Sequence, residues 1–232
     1  MFIEKNNLSE VFSGIAPYYD LLNHILSFNR DKLWRMEFIA TAGIKENARI
    51  LDLCTGTADI AIECAKRKNA CQVFGVDFSE EMLKQARDKI NRLGLEKQIY
   101  LIKADVFKLP FHSDFFDLVS ISFGLRNLID YSKGMEKMAN MLKKGGKVII
   151  LEFSPPLDNA AGRVYDFYLK KMVPLVALIC GGSTAAYKYL SSSISAFLYP
   201  KQILNCMELA GLKNLSMKKM CLGVVNAYYG EK

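Results

Sequence analysis

The stretch Asp52-Leu53-Cys54-Thr55-Gly56-Thr57-Ala58-Asp59 follows a short apolar run and precedes a helical pattern. A strand-to-helix turn that contains glycine lets a ligand approach the backbone closely. Only Gly56 stands where many such loops carry three glycines; Cys54 and Ala58 hold the other two places. Alone, this is an ordinary tight turn. Asp77 gives it weight, because it lies 21 residues beyond Gly56 at the end of the next apolar run. A carboxylate at that position can accept both hydroxyls of a ribose. Asp105 ends a third run and is placed to accept from an adenine amino group.

These features fit either a nicotinamide nucleotide or S-adenosyl-L-methionine. A pyrophosphate wants a glycine-rich helix N-terminus. S-adenosyl-L-methionine has no phosphate and presents an amino-acid group and a sulfonium, so fewer glycines suffice. The Cys54 and Ala58 departures favour the methyl donor. So does an antiparallel-looking pair of strands near the C-terminal end.

The elements that must position these groups follow from periodicity. Arg49–Cys54, Cys71–Val76, Ile99–Lys103, Phe116–Ser122 and Val148–Phe153 read as strands, and Lys213–Lys219 and Gly223–Tyr229 as two final ones. Helical patterns cover Asp59–Arg67, a segment N-capped by Ser79 with Met82, Leu83, Ala86 and Ile90 on one face, Tyr131–Leu142 closed by Gly145-Gly146, and Pro200–Leu209 closed by Gly211. Such alternation predicts an α/β fold on a mostly parallel seven-stranded sheet with an antiparallel C-terminal strand. One domain is expected: an N-terminal helical cap over 1–47, a cofactor-binding core over 48–154, a helical insertion or lid over 155–198, and a C-terminal helix with strands over 199–232.

Composition narrows the partners. The 232 residues are 51% hydrophobic and 24% charged, with a net charge of +7 spread along the chain. A nucleic-acid footprint needs a focused basic face, so nucleic acid is not expected. The six cysteines form no CxxC pair, which leaves no support for a metal site and reads as reduced thiols in a reducing compartment. The polar segment Met1 to Asn7 carries no signal-peptide pattern. The longest apolar run, Met172 to Cys180, holds nine residues including Pro174. That is far short of the ~20 needed to span a bilayer.

Further blocks are more specific. Tyr19-Asp20-Leu21-Leu22-Asn23 with Ser27 and Trp34, Ile121-Ser122-Phe123-Gly124-Leu125-Arg126-Asn127, and Leu142-Lys143-Lys144-Gly145-Gly146-Lys147 with Glu152-Phe153-Ser154 together resemble the quinone-biosynthesis C-methyltransferases. The resemblance covers nearly the whole chain. It departs at Leu22, where the family usually has Met, at Asp31-Lys32, where it usually has His-Arg, and at Lys144, where it usually has Pro. It implies a Rossmann-like class I methyltransferase fold and S-adenosyl-L-methionine contacts at Thr57, Asp77, Asp105, Val106 and Ser122, beside the loop glycine Gly56. It implies C-methylation of a polyprenylated quinol, demethylmenaquinol first, with 2-methoxy-6-polyprenyl-1,4-benzoquinol or another small molecule as alternatives.

Methylating a ring carbon requires an ionised hydroxyl, and a phenol has a pKa near 10. The site must therefore remove a proton or stabilise the phenolate. Arg126 and Asn127 follow the fourth strand and are candidate catalytic groups, Arg126 as phenolate stabiliser or else as a loop cap or the partner of an acid. Asp20, on a helix with Tyr19 and Asn23, is a candidate base, a partner for Arg126, or part of a structural cluster. Met82 packs on adenine or in the core. His24 reads as surface or lid, and His112 as a loop residue. The apolar insertion residues Phe167, Tyr168, Met172, Val173, Leu175 and Leu178 read as core or as a lid for an isoprenoid tail. Expected partners are the quinol, transient contact with the inner face of a membrane from the cytoplasm, and a second copy in a homodimer.

Overall fold

The computed structural model describes residues 19–67, 71–179 and 184–232. The polar segment Met1 to Asn7 and Cys180 lie outside the described residues. Two helices, α1 (Tyr19–Leu26) and α2 (Arg30–Ala42), come first. The alternating part follows as β1 (Arg49–Leu53), α3 (Asp59–Arg67), β2 (Gln72–Asp77), α4 (Glu80–Arg92), β3 (Ile99–Lys103), β4 (Phe116–Ser122), α5 (Tyr131–Met141) and β5 (Leu142–Phe153). The inserted segment holds α6 (Ala160–Phe167), a π-helical turn at Tyr168–Met172, α7 (Val173–Ile179) and α8 (Thr184–Ser195). Last come α9 (Pro200–Leu209), β6 (Lys213–Met220) and β7 (Val225–Glu231).

The sheet order is β3-β2-β1-β4-β5-β7-β6. β7 runs antiparallel to both β5 and β6; the other ladders are parallel. Strands buried on both faces must be apolar throughout, which is why β1 and β4 read as continuous runs rather than alternations. One face is covered by α2, α3 and α4, through Trp34, Phe38, Ile62 and Ile90 among others. The opposite face is covered by α5 and α9, through Met135, Met138, Ile203 and Met207. A third, smaller apolar cluster joins Leu22, Met82, Leu169, Val173 and Ile194, and so ties the inserted helices to α1 and α4. Met82 is thus a core residue. The expected cap is in place, with Ser79 accepting from the Met82 amide; Asp130, not read as a cap from sequence, caps α5 through the Lys133 amide.

One boundary differs from the reading of the sequence. The Gly145-Gly146 pair does not close α5, because the helix stops at Met141 and β5 begins at Leu142. Leu142 is fully buried opposite Phe116, and the β4–β5 register then shifts to pair Leu118 with Lys147. The glycines lie in this bulge, with Gly145 at φ +77°, a backbone angle that costs glycine nothing. Burial of Leu142 on the sheet outweighs the turn signal carried by the glycine pair.

The order of strands reverses between β1 and β4. Loops leaving such a pair diverge to opposite faces, so a crevice opens beyond their carboxyl ends. The two loops touch at Gly124, where a side-chain carbon would lie 2.5 Å from Cβ of Cys54.

Candidate active site

Of the groups expected to hold the cofactor, Gly56, Thr57 and Ser122 line the crevice, while Asp77, Asp105 and Val106 lie off its lining. A small cavity of about 30 Å³ is lined by Asp52, Thr55, Gly56, Thr57 and Ser122, with Tyr19, Arg35, Cys54, Asp59, Ile60 and Phe123 around it. Cys54, Gly56 and Ala58 all take left-handed backbone angles, with φ of 52°, 55° and 67°. The loop therefore adopts a glycine-type path with one glycine. Left-handed cysteine and alanine are strained, and such strain collects at functional sites. Above Gly56 nothing lies within 4 Å of where a side chain would start, so the backbone is open on that side.

Two buried acids shape the loop. Asp77 accepts from the Gly56 amide at 2.8 Å and the Ser79 amide at 3.0 Å. Burial raises its pKa, and amides of Ser79, Gly56 and Phe78 work against that rise. Asp52 accepts from the Thr55 hydroxyl at 2.6 Å and the Ser120 hydroxyl at 2.7 Å. Burial outweighs both bonds and pushes its pKa up to about 6. Asp105 caps a 3-10 turn by accepting from the Phe107 amide, and Val106 is buried beside it; both sit at the end of β3, off the lining of the small cavity. Ser122 presents a buried hydroxyl without a partner to the cavity.

Helix α1 reaches the same loop through charge. Asp20 accepts from the Thr57 hydroxyl at 2.7 Å and from Nζ of Lys89 at 2.8 Å. Lys89 also bonds Asp59, and Asp59 in turn lies 3.3 Å from Nη2 of Arg35. Arg35 bonds Asp31, whose carboxylate also meets His24 at 2.8 Å and the Ser27 hydroxyl at 2.7 Å. Asp20 therefore pairs with Lys89 rather than Arg126. His24 belongs to this half-buried network, whereas His112 is an exposed loop residue.

Behind the small cavity lies a larger one of about 300 Å³. Tyr19, Arg35 and Phe123 line both, so the two are neighbours. Its walls are mainly apolar and come from α1, α2, the inserted helices and the end of β5, with Leu26, Trp34, Phe153, Leu169, Val173 and Ile194 prominent. The Tyr168 hydroxyl donates to the Leu26 carbonyl at 2.6 Å and so joins the insertion to α1. Of the insertion residues named from sequence, Val173 is buried, Tyr168 is half-buried, and Phe167, Met172, Leu175 and Leu178 are exposed.

Arg126 stands at the inner end of this cavity and is buried. Its Nη1 donates to Glu152 at 2.7 Å and to the Phe123 carbonyl at 2.6 Å, while the guanidinium lies over the Phe153 ring at 5.7 Å. Burial opposes its charge, yet Glu152 and neighbouring tyrosines hold its pKa above the ordinary arginine value. Its Nε is buried and has no partner. Asn127 does not line the cavity; its Oδ1 accepts from the Tyr189 hydroxyl at 2.9 Å and so anchors α8. Lys89, Arg35 and Tyr165 are not singled out from sequence, and Glu152 only as part of a motif, with no role. For Glu152 a signal existed: a carboxylate inside a buried apolar run must find a cation. Among the described residues no metal-binding cluster is present and no helix is long and apolar enough to cross a membrane.

Comparison with known proteins bears on the fold and the family. Two solved structures share the fold: a SAM-dependent methyltransferase from Thermotoga maritima, with a TM-score of 0.67 and 16% identity over 96% of this chain and 98% of that one, and another from Aquifex aeolicus, with a TM-score of 0.64 and 18% identity over 91% and 96%. A demethylmenaquinone methyltransferase of Thermus thermophilus is 39% identical over 96% of this chain and all of its own length. A ubiquinone/menaquinone biosynthesis C-methyltransferase of Geotalea daltonii is 38% identical over 97% of this chain and 96% of its own. The model of the ubiE/COQ5 methyltransferase family matches residues 1–232, and the chain belongs to that family.

Proposed function

We propose that the chain transfers the methyl group of S-adenosyl-L-methionine to a ring carbon of a polyprenylated quinol, with demethylmenaquinol as the acceptor. The observation that carries this reading is Arg126: a buried cation with an unpartnered Nε, on the wall of an apolar cavity adjoining the polar loop. The loop's donor set suits the cofactor. Asp77 keeps lone pairs for ribose hydroxyls, Ser122 has a hydroxyl to spend, Gly56 offers open backbone, and the Asp52 carboxyl faces the cleft that would take the cationic amino-acid end. When bound, S-adenosyl-L-methionine supplies an electrophilic methyl group on sulfur, which leaves as a neutral thioether.

The chain's own residues supply the rest. The apolar walls exclude water and hold the ring against the cleft, converting a collision into a positioned encounter. Arg126 cannot act as a base, since it stays charged. It stabilises the phenolate, which makes the adjacent ring carbon nucleophilic. That carbon gains the methyl and gives up its hydrogen as a proton, so one proton is released per turnover. Asp20 acts through Thr57 and Lys89, fixing α1 against the loop.

Exposed Phe167, Leu175 and Leu178 beside Lys171 suit brief contact with an anionic bilayer, from which a tailed quinol must be collected. The decisive assay is methylation of chemically reduced short-tailed demethylmenaquinol by the purified chain, with the benzoquinol as the parallel acceptor. Methyl transfer to the demethylmenaquinol is expected. Cofactor binding without transfer to either ring would overturn the reading.

A further inference from the structure

Two polar atoms in the larger cavity are buried and without a partner: Nε of Arg126 and the hydroxyl of Tyr165. The other described hydroxyls on its walls are better supplied. Tyr168 is spent on the Leu26 carbonyl and Tyr189 on Asn127, while Tyr19 is engaged with its neighbours. Buried donors without partners are few in native proteins, and each calls for an explanation. Here both side chains line one cavity, and the Arg126 charge is felt at Tyr165. Burial pushes the Tyr165 pKa well up, so the hydroxyl keeps its proton at neutral pH. Arg126 Nε–H likewise only donates. The cavity therefore offers two separate donors, one charged and one neutral, set in apolar walls.

We infer that Arg126 and Tyr165 form a two-point clamp for the two ring oxygens of an aromatic 1,4-diol. This rests on the reading of the cavity as the acceptor site. The charged donor takes the oxygen that ionises, and Tyr165 takes the oxygen across the ring. A phenolate activates only its ortho and para carbons. In a 1,4-diol the para carbon already bears the second oxygen, so an ortho carbon must receive the methyl. Holding the far oxygen fixes how deeply the ring sits and which carbon faces the cleft. Tyr165 is thereby a substrate-positioning residue, supplied by the insertion rather than by the sheet.

The test is Tyr165→Phe, which removes one hydroxyl at nearly constant volume. Three acceptor-side readouts are needed: kcat/KM with the reduced short-tailed diol, the inhibition constant of a mono-ol with the same ring and tail that lacks the far hydroxyl, and Tm without ligand. A neutral hydrogen bond predicts about a tenfold loss of kcat/KM for the diol. The mono-ol's inhibition constant should not change, and neither should adenosylhomocysteine affinity. Tm should hold or rise, because the hydroxyl has no partner to lose. A loss shared equally by diol and mono-ol, or a fall in Tm, would overturn the clamp while leaving methylation by the parent intact. A parent chain that methylates neither quinol overturns the acceptor reading, and the clamp falls with it.

Discussion

The two cavities that meet at Tyr19, Arg35 and Phe123 are built in opposite ways. The small one is made mainly from strand ends and the turns after them, and the buried acids at or beside it are satisfied within the sheet and its loops: Asp77 by the Gly56 and Ser79 amides, Asp52 by the Thr55 and Ser120 hydroxyls. The large one is assembled from α1, α2, the inserted helices and the 3-10 turn at Cys221–Gly223, far apart in the chain and joined by apolar contact. Polar groups in the first hold the loop and, in the proposed reading, the cofactor. The second exposes mainly apolar surface, and two polar atoms of its wall residues, Arg126 Nε and the Tyr165 hydroxyl, have no partner. Damage to the small cavity should therefore abolish binding, whereas damage to the large one should change rate and selectivity.

The largest effect is expected at Asp77. Its carboxylate pins the loop and, in the proposed reading, accepts from the ribose hydroxyls, so Asp77→Ala loses several charged hydrogen bonds at once. At about 1.5–3 kcal/mol for each such bond, calorimetry should find adenosylhomocysteine affinity down at least a hundredfold. Unchanged affinity would remove Asp77 from the site. Asp77→Asn should be nearly as damaging, because one amide hydrogen would face a backbone N–H.

Arg126→Leu should break the large cavity differently. Removing a donor that stabilises developing oxyanion charge lowers kcat by about a hundredfold, with adenosylhomocysteine affinity kept. It also strands Glu152, which is fully buried. An unpaired buried charge costs about 3–5 kcal/mol, so Tm should fall too. The double variant Arg126→Leu with Glu152→Leu should recover Tm but not turnover. Recovery of both would make the pair structural.

Asp52 separates the cavities by pH. Burial raises its carboxyl from 3.8 to about 6, so the fold binds a proton there that the unfolded chain has released. Stability from this group is full below pH 4 and is lost as pH rises towards 6, a swing of up to about 3 kcal/mol. Asp52→Asn should flatten that decline in a Tm-against-pH series. A decline that persists would assign it to another group.

What could be read from sequence follows the same division. The strands β1 to β4, the Ser79 cap and the Gly56–Asp77 spacing are local patterns, and they appear where expected. Cys54 and Ala58 looked like departures from a glycine loop, yet their backbone follows the glycine path at the cost of strain. Glu152 was legible in principle as a charge in an apolar strand. Tyr165, Lys89 and Arg35 were not, because their partners are set by packing between distant segments. Tyr165 differs from Tyr168 three residues later only in which hydroxyl finds a carbonyl, and no periodicity encodes that.

The smallest effect concerns the outer face of the insertion. Leu175 is 49% and Leu178 62% exposed, on a helix with Lys171 just before it. Lys170 is neutralised by Asp166 at 2.8 Å, which leaves less positive charge than the sequence promised. At about 1 kcal/mol per basic residue near an anionic surface, and a comparable gain from partly burying two leucines, attraction to vesicles should be weak and salt-sensitive. Replacing both leucines with Ser should leave Tm nearly unchanged, since neither is core. It should raise KM for a long-tailed quinol a few-fold and spare a tail-less one, because only the tailed substrate must be drawn from a bilayer. Equal effects on both acceptors would place the leucines in packing instead. A shift in sedimentation with no change in vesicle binding would assign the face to a second copy of the chain.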